Sequence, residues 1–434
     1  MAHELIQINV RKPLVRVVLL LFVLIAAVWS FYVVRWYAGN TMAEYFPSAN
    51  NLEAASTAVS LAPDDPLTHW RMAQVSQRSL TLDQQARIVK EYEKVVSLSP
   101  YDYRFWVSLG TAYGQEGEAV RAETALRRAV ELAPNYSYPR WYLGNLLLRN
   151  GHYDAAFAEL RKASEADPEL RPQQFHLIWE VYGEDPEALK NAVGESFTAR
   201  AQFAQYLVGQ NKIDEGLRLW NTMSNAEKRT SVESGEAIIT SLIKAFRYHE
   251  GLTVWNEISG DNFGAVAGEI FDASFEKSAT YTPNSVFGWQ VNATAGVRID
   301  IDPAKSHAGS HSLRLMFQVR SNMDPMNVSQ LVPVRPMAEY DVEYFVSSDK
   351  LESASTPQVQ IVNAADERVV LASSAAAPSG TKNWGRFNLS FKTGENVQAV
   401  IIRIVRFSCS TEEAPVCPIF GTVWYDNFSL KRRN

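Results

Sequence analysis

The chain opens with one long apolar run. Val17 to Val34 reads VVLLLFVLIAAVWSFYVV, 18 residues without a charge. As a helix at 1.5 Å per residue it covers about 27 Å, close to the hydrocarbon thickness of a bilayer. Arg11, Lys12 and Arg16 precede the run and Arg35 alone follows closely. The positive-inside rule therefore keeps 1–16 cytoplasmic and places everything after Arg35 outside. Trp29, Trp36 and Tyr37 sit near the outer end, where aromatic rings suit the interface. The competing reading is a cleaved signal peptide, but the run exceeds a signal core and no A-x-A-like site follows closely.

From about residue 48 to 262 the apolar positions follow a helical period, and the chain repeats itself. Leu61-Ala62-Pro63-Asp64, Leu98-Ser99-Pro100-Tyr101, Leu132-Ala133-Pro134-Asn135 and Ala166-Asp167-Pro168-Glu169 echo one another. Pro100, Pro134 and Pro168 are 34 apart, as are Gly110 and Gly144, Ala122 and Ala156, Leu126 and Leu160, and Ala129 and Ala163. Pro63 to Pro100 is 37, so one repeat carries an insertion. Small residues let paired helices approach, large ones fill the gaps, and proline ends the second helix. Beyond Pro168 the pattern weakens, then Glu215-Gly216-Leu217-Arg218-Leu219-Trp220-Asn221 returns 35 residues later as Glu250-Gly251-Leu252-Thr253-Val254-Trp255-Asn256. These read as the second helices of two further, degenerate hairpins.

The run Trp106, Leu109-Gly110, Tyr113, Ala122, Leu126, Ala129 and Pro134 resembles the tetratricopeptide repeat (TPR). The next unit keeps Leu143-Gly144, Gly151, Ala156, Leu160, Ala163 and Pro168 but departs at the first position, where Arg140 stands beside Trp141. The resemblance implies repeats over 48–168, degenerate repeats over 169–262, and a concave groove that binds proteins or peptides. Tyr103, Arg104, Tyr136, Arg140 and Trp141 are the candidate groove contacts. The alternative is that the aromatics pack between repeats and the arginines are simply solvated.

After residue 262 the period falls to two. Leu313, Leu315, Phe317 and Val319 alternate with Ser312, Arg314, Met316 and Gln318; Tyr340, Val342, Tyr344 and Val346 form a second such run, and Phe387, Leu389 and Phe391 a third. This predicts an antiparallel β-sandwich over 268–432. The order Phe271-Asp272-Ala273-Ser274-Phe275-Glu276, Phe287-Gly288-Trp289, Ala308-Gly309-Ser310-His311-Ser312 and Trp424-Tyr425-Asp426-Asn427-Phe428 resembles carbohydrate-binding modules of the galactose-binding-like jelly-roll type. The resemblance implies a structural calcium held by Glu276 and Asp426; the alternative is a carboxylate bonded to backbone N–H groups. Sugar binding needs exposed aromatic faces, for which Trp289, Trp384 and Tyr425 are the candidates, against the reading of Trp289 and Trp384 as core. By the period of two, Trp424, Asp426, Phe428 and Leu430 share a face, which is expected to be core.

Composition removes several function classes. Acidic residues outnumber basic ones, 48 to 42, for a net charge of −6, unlike a nucleic-acid binder. A single candidate span excludes a transporter. Cys409 and Cys417 are the only cysteines; a disulfide between them is the simplest reading, and suits the oxidising side of the membrane. No phosphate loop, HExxH or GxSxG motif of an active site is present, and no carboxylate pair is marked as that of a glycosidase. Asn-x-Ser/Thr sites occur at Asn292 and Asn388 and matter only in a glycosylating host.

The expected architecture is therefore a single transmembrane helix, an all-α TPR-like solenoid and an all-β jelly roll. The expected function is a non-catalytic, membrane-anchored scaffold outside the cytoplasm, of bacterial inner-membrane type. Its groove would bind proteins and its jelly roll glycan, in assembly or export of a surface polysaccharide. Membrane lipid, protein and polysaccharide are the expected partners, with no nucleic acid and no cofactor beyond calcium. Two alternatives stand beside it: a structural subunit of a membrane complex with the jelly roll as a protein contact, and a divergent glycoside hydrolase or lyase.

Overall fold

The computed structural model describes residues 12–45, 51–77, 82–183, 185–260, 264–277, 286–292, 295–319, 327–407, 409 and 416–433. It forms two compact units, 1–194 and 195–434. The dividing point is Gly194/Glu195 rather than the change of period near residue 262.

The first unit begins with α1 (Pro13–Tyr45), a single 33-residue helix. Its 18-residue apolar window is not buried against the rest of the chain, and its large apolar side chains from Val17 to Val34 are exposed. The helix does not stop where the apolar run stops. Its last turns pair with α2 (Leu52–Leu61) as the first hairpin of the solenoid. A Cβ on Gly39 would lie 2.8 Å from Ala62 Cβ and 2.9 Å from the Ala58 carbonyl oxygen. Only glycine permits that approach. Arg35 Nη2 donates to the Ser60 carbonyl at 2.8 Å, and Asn40 Nδ2 to Asp65 Oδ2 at 2.8 Å. The helix-on-helix packing that the later hairpins continue thus begins inside α1.

Three regular hairpins follow: α3 (Pro66–Gln77) with α4 (Leu82–Leu98), α5 (Tyr103–Gln115) with α6 (Ala119–Leu132), and α7 (Ser137–Arg149) with α8 (Tyr153–Ala166). At 17 residues α4 is longer than α6 and α8, at 14 each, which accommodates the insertion. Gly110 and Gly144 also admit a close neighbour, here toward the middle of the second helix rather than at its end: a Cβ on either would lie 2.6 Å from Cγ of Leu126 or Leu160. A 3-10 turn at Pro168–Leu170, α9 (Arg171–Tyr182) and α10 (Pro186–Val193) complete the unit.

One hydrogen bond explains the departure at Arg140. Six residues after three of the four closing prolines, a side-chain nitrogen bonds to that proline's carbonyl; the Pro168 carbonyl instead accepts the backbone N–H of Arg171. His69 Nε2 reaches Pro63 at 2.8 Å, Trp106 Nε1 reaches Pro100 at 2.9 Å, and Arg140 Nε reaches Pro134 at 2.9 Å. The position requires a donor of that reach, and aromaticity is incidental. The carbonyl lies where no helix can satisfy it, because each proline ends one helix before the next begins.

The second unit holds the two degenerate hairpins, α11 (Phe197–Gly209) with α12 (Ile213–Asn221) and α14 (Val232–Lys244) with α15 (Tyr248–Ser259), separated by the short α13 (Asn225–Thr230). The two echoed segments are α12 and α15, second helices as expected. Trp220, fully buried, donates Nε1 to Glu257 Oε2 at 2.7 Å, and Lys228 Nζ pairs with Glu257 Oε1 at 2.7 Å.

Strands β1 (Gln290–Asn292), β4 (Asn327–Pro333), β9 (Ala399–Val405), β6 (Gln358–Asn363) and β7 (Asp366–Ser373) lie side by side in that order as one sheet. The other sheet is β2 (Val297–Asp302), β3 (Ser312–Val319), β10 (Ile419–Arg432), β5 (Glu339–Glu352) and β8 (Gly380–Lys392). All pairings are antiparallel. Leu313, Leu315, Tyr344 and Tyr425 from one sheet meet Val359, Ile361, Ile402 and Ile404 from the other in one core. The alternation in β10 is broken. Asn427 takes φ 50° and the register with β5 shifts between Asp426 and Ser429. Asn tolerates this left-handed conformation better than most residues. Val423, Tyr425, Phe428 and Leu430 therefore face the core, while Trp424 and Asp426 lie on the opposite face. The expectation that all four of Trp424, Asp426, Phe428 and Leu430 share the core face is corrected by this bulge.

The sandwich is not strung on a loose linker. Trp255 of α15 meets Phe271 and Phe287 edge-on at 5.3 and 6.0 Å between ring centres. Gly251 faces Phe287, and His249 Nε2 bonds to the Val334 carbonyl at 3.1 Å. Asn256 forms paired hydrogen bonds with the Ala265 backbone, at 2.8 and 2.9 Å.

Trp106→Phe keeps the ring and removes the donor to Pro100. Denaturant unfolding is expected to show a loss of about 1 kcal/mol, with the larger change in Trp106→Ala.

Candidate functional site

In the first unit the first helices of successive hairpins stand side by side. Trp70 Nε1 on α3 donates to Ser108 Oγ on α5 at 3.2 Å, and Gln77 Nε2 donates to Gln115 Oε1 at 3.3 Å. These helices form the inner wall of the solenoid, which is where the groove candidates fall. Tyr136 is exposed and stacks with half-buried Tyr103 across the repeat junction, 5.3 Å between ring centres. Arg104 is exposed but already clasped by Asp102, with Nε at 2.9 Å and Nη2 at 2.5 Å. That hydrogen bond holds the Asp102 carboxyl below its ordinary range. Arg140 is committed to Pro134 and to Glu159, at 2.5 Å, and holds first helix to second. Trp141 is half-buried. The structure thus brings Tyr103 and Tyr136 together and takes Arg140 out of the groove.

Sequence reasoning missed part of this wall. Tyr138 is half-exposed and lies 4.7 Å from Tyr142, ring centre to ring centre. Burial raises the Tyr138 phenol pKa. Tyr138, Trp141 and Tyr142 stand at i, i+3 and i+4 on α7, a helical spacing that could have grouped them.

In the second unit the loop between β2 and β3, residues 303–311, gathers the other candidates. Asp426 Oδ2 accepts the backbone N–H of His307 at 2.6 Å and of Ala308 at 2.9 Å. Glu276 Oε1 accepts those of Ser310 and His311, at 2.7 and 2.9 Å. Its Oε2 takes Ser310 Oγ at 2.7 Å and His311 Nδ1 at 3.0 Å. Two carboxylates therefore pin two successive turns of one loop. Burial alone would raise the Glu276 carboxyl, but the bonds from Ser310 and His311 outweigh it and hold the pKa at about 2. Asp426 goes the other way: burial raises it, and its three backbone N–H bonds only moderate the rise. Carboxylate oxygens are the donors calcium favours. Here all four are turned toward N–H and O–H donors, since Asp426 Oδ1 accepts the Asn427 N–H at 2.6 Å. Among the described residues no group of three or more His, Cys, Asp or Glu side chains is placed to hold a metal.

The three aromatic sugar candidates are not brought together. Trp289 and Tyr425 are core residues, 2% and 1% exposed. Trp289 Nε1 is bonded to the Asp272 carbonyl at 3.2 Å. Neither offers a face to a ligand. Trp384 is half-exposed on the outer face of its sheet, near the His307 ring at 5.9 Å. Lys305 Nζ stands over Trp424, 3.8 Å from the ring centre, and 6.0 Å from that of Trp384. Cys409 and Cys417 form a disulfide, and the buried Arg406 donates to the Cys417 carbonyl at 2.7 Å.

Residues 115–177 match the tetratricopeptide repeat family model. These residues run from the end of α5 into α9, so the repeat reading holds there in sequence and in fold. The sequence matches no curated protein. Among solved structures the helical region is similar to MamA from Desulfovibrio magneticus RS-1, at 13% identity, covering 43% of this chain and 92% of that one, with a TM-score of 0.29. It is also similar to YrrB, described as a TPR protein with an unusual peptide-binding site, at 15% identity, 48% and 92% coverage and a TM-score of 0.25. The sandwich is similar to TmCBM61, solved with β-1,4-galactotriose, at 15% identity, 37% and 96% coverage and a TM-score of 0.26. At such identities and scores these likenesses carry nothing about what this chain binds.

The Glu276 carboxyl is depressed in the folded chain, so its contribution is present above its ordinary value of 4.5 and is lost as pH falls toward about 2. Glu276→Gln is expected to be less stable than the parent at neutral pH, with the gap closing over that window. Melting curves of both chains from pH 6 to pH 2, on the order of one per unit, check this.

Proposed function

We propose that this chain is a non-catalytic, membrane-anchored scaffold on the extracytoplasmic side of a bacterial inner membrane, serving assembly or export of a surface polysaccharide. The observation that carries the reading is α1, whose exposed apolar length continues without a break into the first repeat. A solenoid built directly on a membrane helix is held beside membrane proteins, and its aromatic first-helix wall is a protein-binding surface of the usual kind. The Cys409–Cys417 disulfide supports the outer side, where thiols are oxidised. The cluster of Arg11, Lys12 and Arg16 before the span supports the same orientation. The sandwich, docked on α15, would present glycan at a fixed place; Trp384 is the one sugar candidate with an accessible face.

A second reading, a structural subunit whose sandwich contacts other subunits, is favoured by one observation: Trp289 and Tyr425 are buried in the core. Affinity capture of the full chain from native membranes in mild detergent separates the two. The scaffold reading predicts polysaccharide, or the proteins that make it, in the eluate, and loss of the sugar with Trp384→Ala. A fixed protein complex without sugar would replace it with the second reading. Calcium at Glu276 and Asp426 belongs to the same proposal. It predicts a melting temperature that rises with added calcium and no longer does so in Glu276→Gln; hydrogen bonding alone predicts no calcium dependence.

A further inference from the structure

Because α1 is both the membrane helix and the first helix of the solenoid, it fixes which end of every hairpin faces the bilayer. From Arg35 the helix runs outward to Tyr45, and α2 runs back. The turn from α2 into α3 therefore returns to the level of Arg35–Asn40, as the contacts of Arg35 with Ser60, Gly39 with Ala62 and Asn40 with Asp65 record. Gly39 is four residues past Arg35, about 6 Å along the helix. The polar layer on each side of the hydrocarbon is about 5–8 Å thick. That turn sits in the headgroup region of the membrane α1 crosses.

The later second-to-first helix turns stand on the same side, since the helices alternate in direction. The turns at Pro63, Pro100 and Pro134 are closed by the same bond to the proline carbonyl, and the Tyr103–Tyr136 ring contact joins the last two directly. This edge is aromatic. Tyr101 is 81% exposed and Tyr136 59%, and Tyr138 follows at 48%. The opposite turns carry Glu116, Gly117 and Glu118, and then Asn150, Gly151 and His152. The one exposed tyrosine beside them, Tyr153, packs edge-on against Tyr182. Tyrosine, apolar in the ring and polar at the tip, is the residue that interfacial layers favour. Trp36 and Tyr37 of α1 are exposed at the same level, and Trp29 and Tyr32 are exposed one to two turns deeper. Charge does not draw the edge to lipid: Arg104 is paired with Asp102, and Asp64, Asp167 and Glu169 stand in the same row of turns.

We propose that this row of turns is a lipid-contacting edge, with Tyr101 and Tyr136 resting in the outer headgroup layer of the bilayer that α1 spans. The solenoid then lies along the membrane surface and leaves its opposite turns to the aqueous side. The inference rests on the anchor reading of α1, and its test separates the two.

Both native cysteines are joined in the disulfide, so a single introduced cysteine carries a spin label selectively. Leu24→Cys, Tyr101→Cys, Tyr136→Cys and Asn150→Cys are labelled in the full chain and placed in phosphatidylcholine nanodiscs. Collision with a water-soluble nickel chelate and with oxygen is then measured. The expected result is a label at 24 reached by oxygen alone, a label at 150 fully open to nickel, and labels at 101 and 136 several-fold less open to nickel than 150. If 24 is buried in lipid while 101 and 136 are as open as 150, the edge does not touch lipid and the proposal fails. If 24 itself is open to nickel, α1 does not span the bilayer and both readings fall.

Discussion

The approach of Gly39 to Ala58 and Ala62 is the contact on which the architecture of the first unit depends. At that distance a side chain on residue 39 has no room, so the outer turns of α1 are fixed against α2 rather than swinging beside it. Close approaches also occur at Gly110 against Leu126 and at Gly144 against Leu160, there toward the middle of the second helix rather than at its end. In three hairpins of this unit a glycine on the first helix thus sets the distance to the second. An anchor joined through a flexible segment would let the solenoid sample all orientations. An anchor that is itself the first repeat removes that freedom.

The second unit follows the same logic with different contacts. Trp255, Phe271 and Phe287 interlock α15 with the base of the sandwich, and the Asn256–Ala265 bonds fix the chain between them. Glu276 and Asp426 hold the 303–311 loop over the outer face of one sheet, and Arg406 holds the disulfide loop at the Cys417 carbonyl. Glu276, Asp426 and Arg406 each meet backbone groups, which offsets the cost of desolvating their charges. The consequence is a sandwich whose surfaces are presented in a set relation to the last hairpin.

Much of this was legible in the sequence, and the failures are instructive. The 34-residue spacing located α5 to α8 because glycine, alanine and proline each answer a local packing demand. Gly39 also precedes Pro63 by 24 residues, as Gly110 precedes Pro134 and Gly144 precedes Pro168, but its contact falls at the end of the second helix rather than toward its middle. The apolar run masked the first hairpin, since the two were read as separate elements and α1 carries both. The Arg140 exception dissolved once the demand was recognised as a hydrogen-bond donor rather than a ring. Burial of Tyr425 followed from a bulge at Asn427, and a period of two has no means of announcing where it slips. The docking of α15 on the sandwich involves aromatic residues scattered over 32 positions, Trp255 to Phe287, with no period to reveal it.

The apolar run and the first hairpin are joined by the continuity of α1 past Arg35. Hydrogen–deuterium exchange of the full chain in nanodiscs, read at the backbone amides of 35–42, tests it most directly. A span that is also the first repeat predicts slow exchange throughout that segment, continuous with the protected span on one side and the first hairpin on the other. Exchange at the rate of an unstructured peptide between Arg35 and Met42 would mean a flexible tether, and would contradict the account.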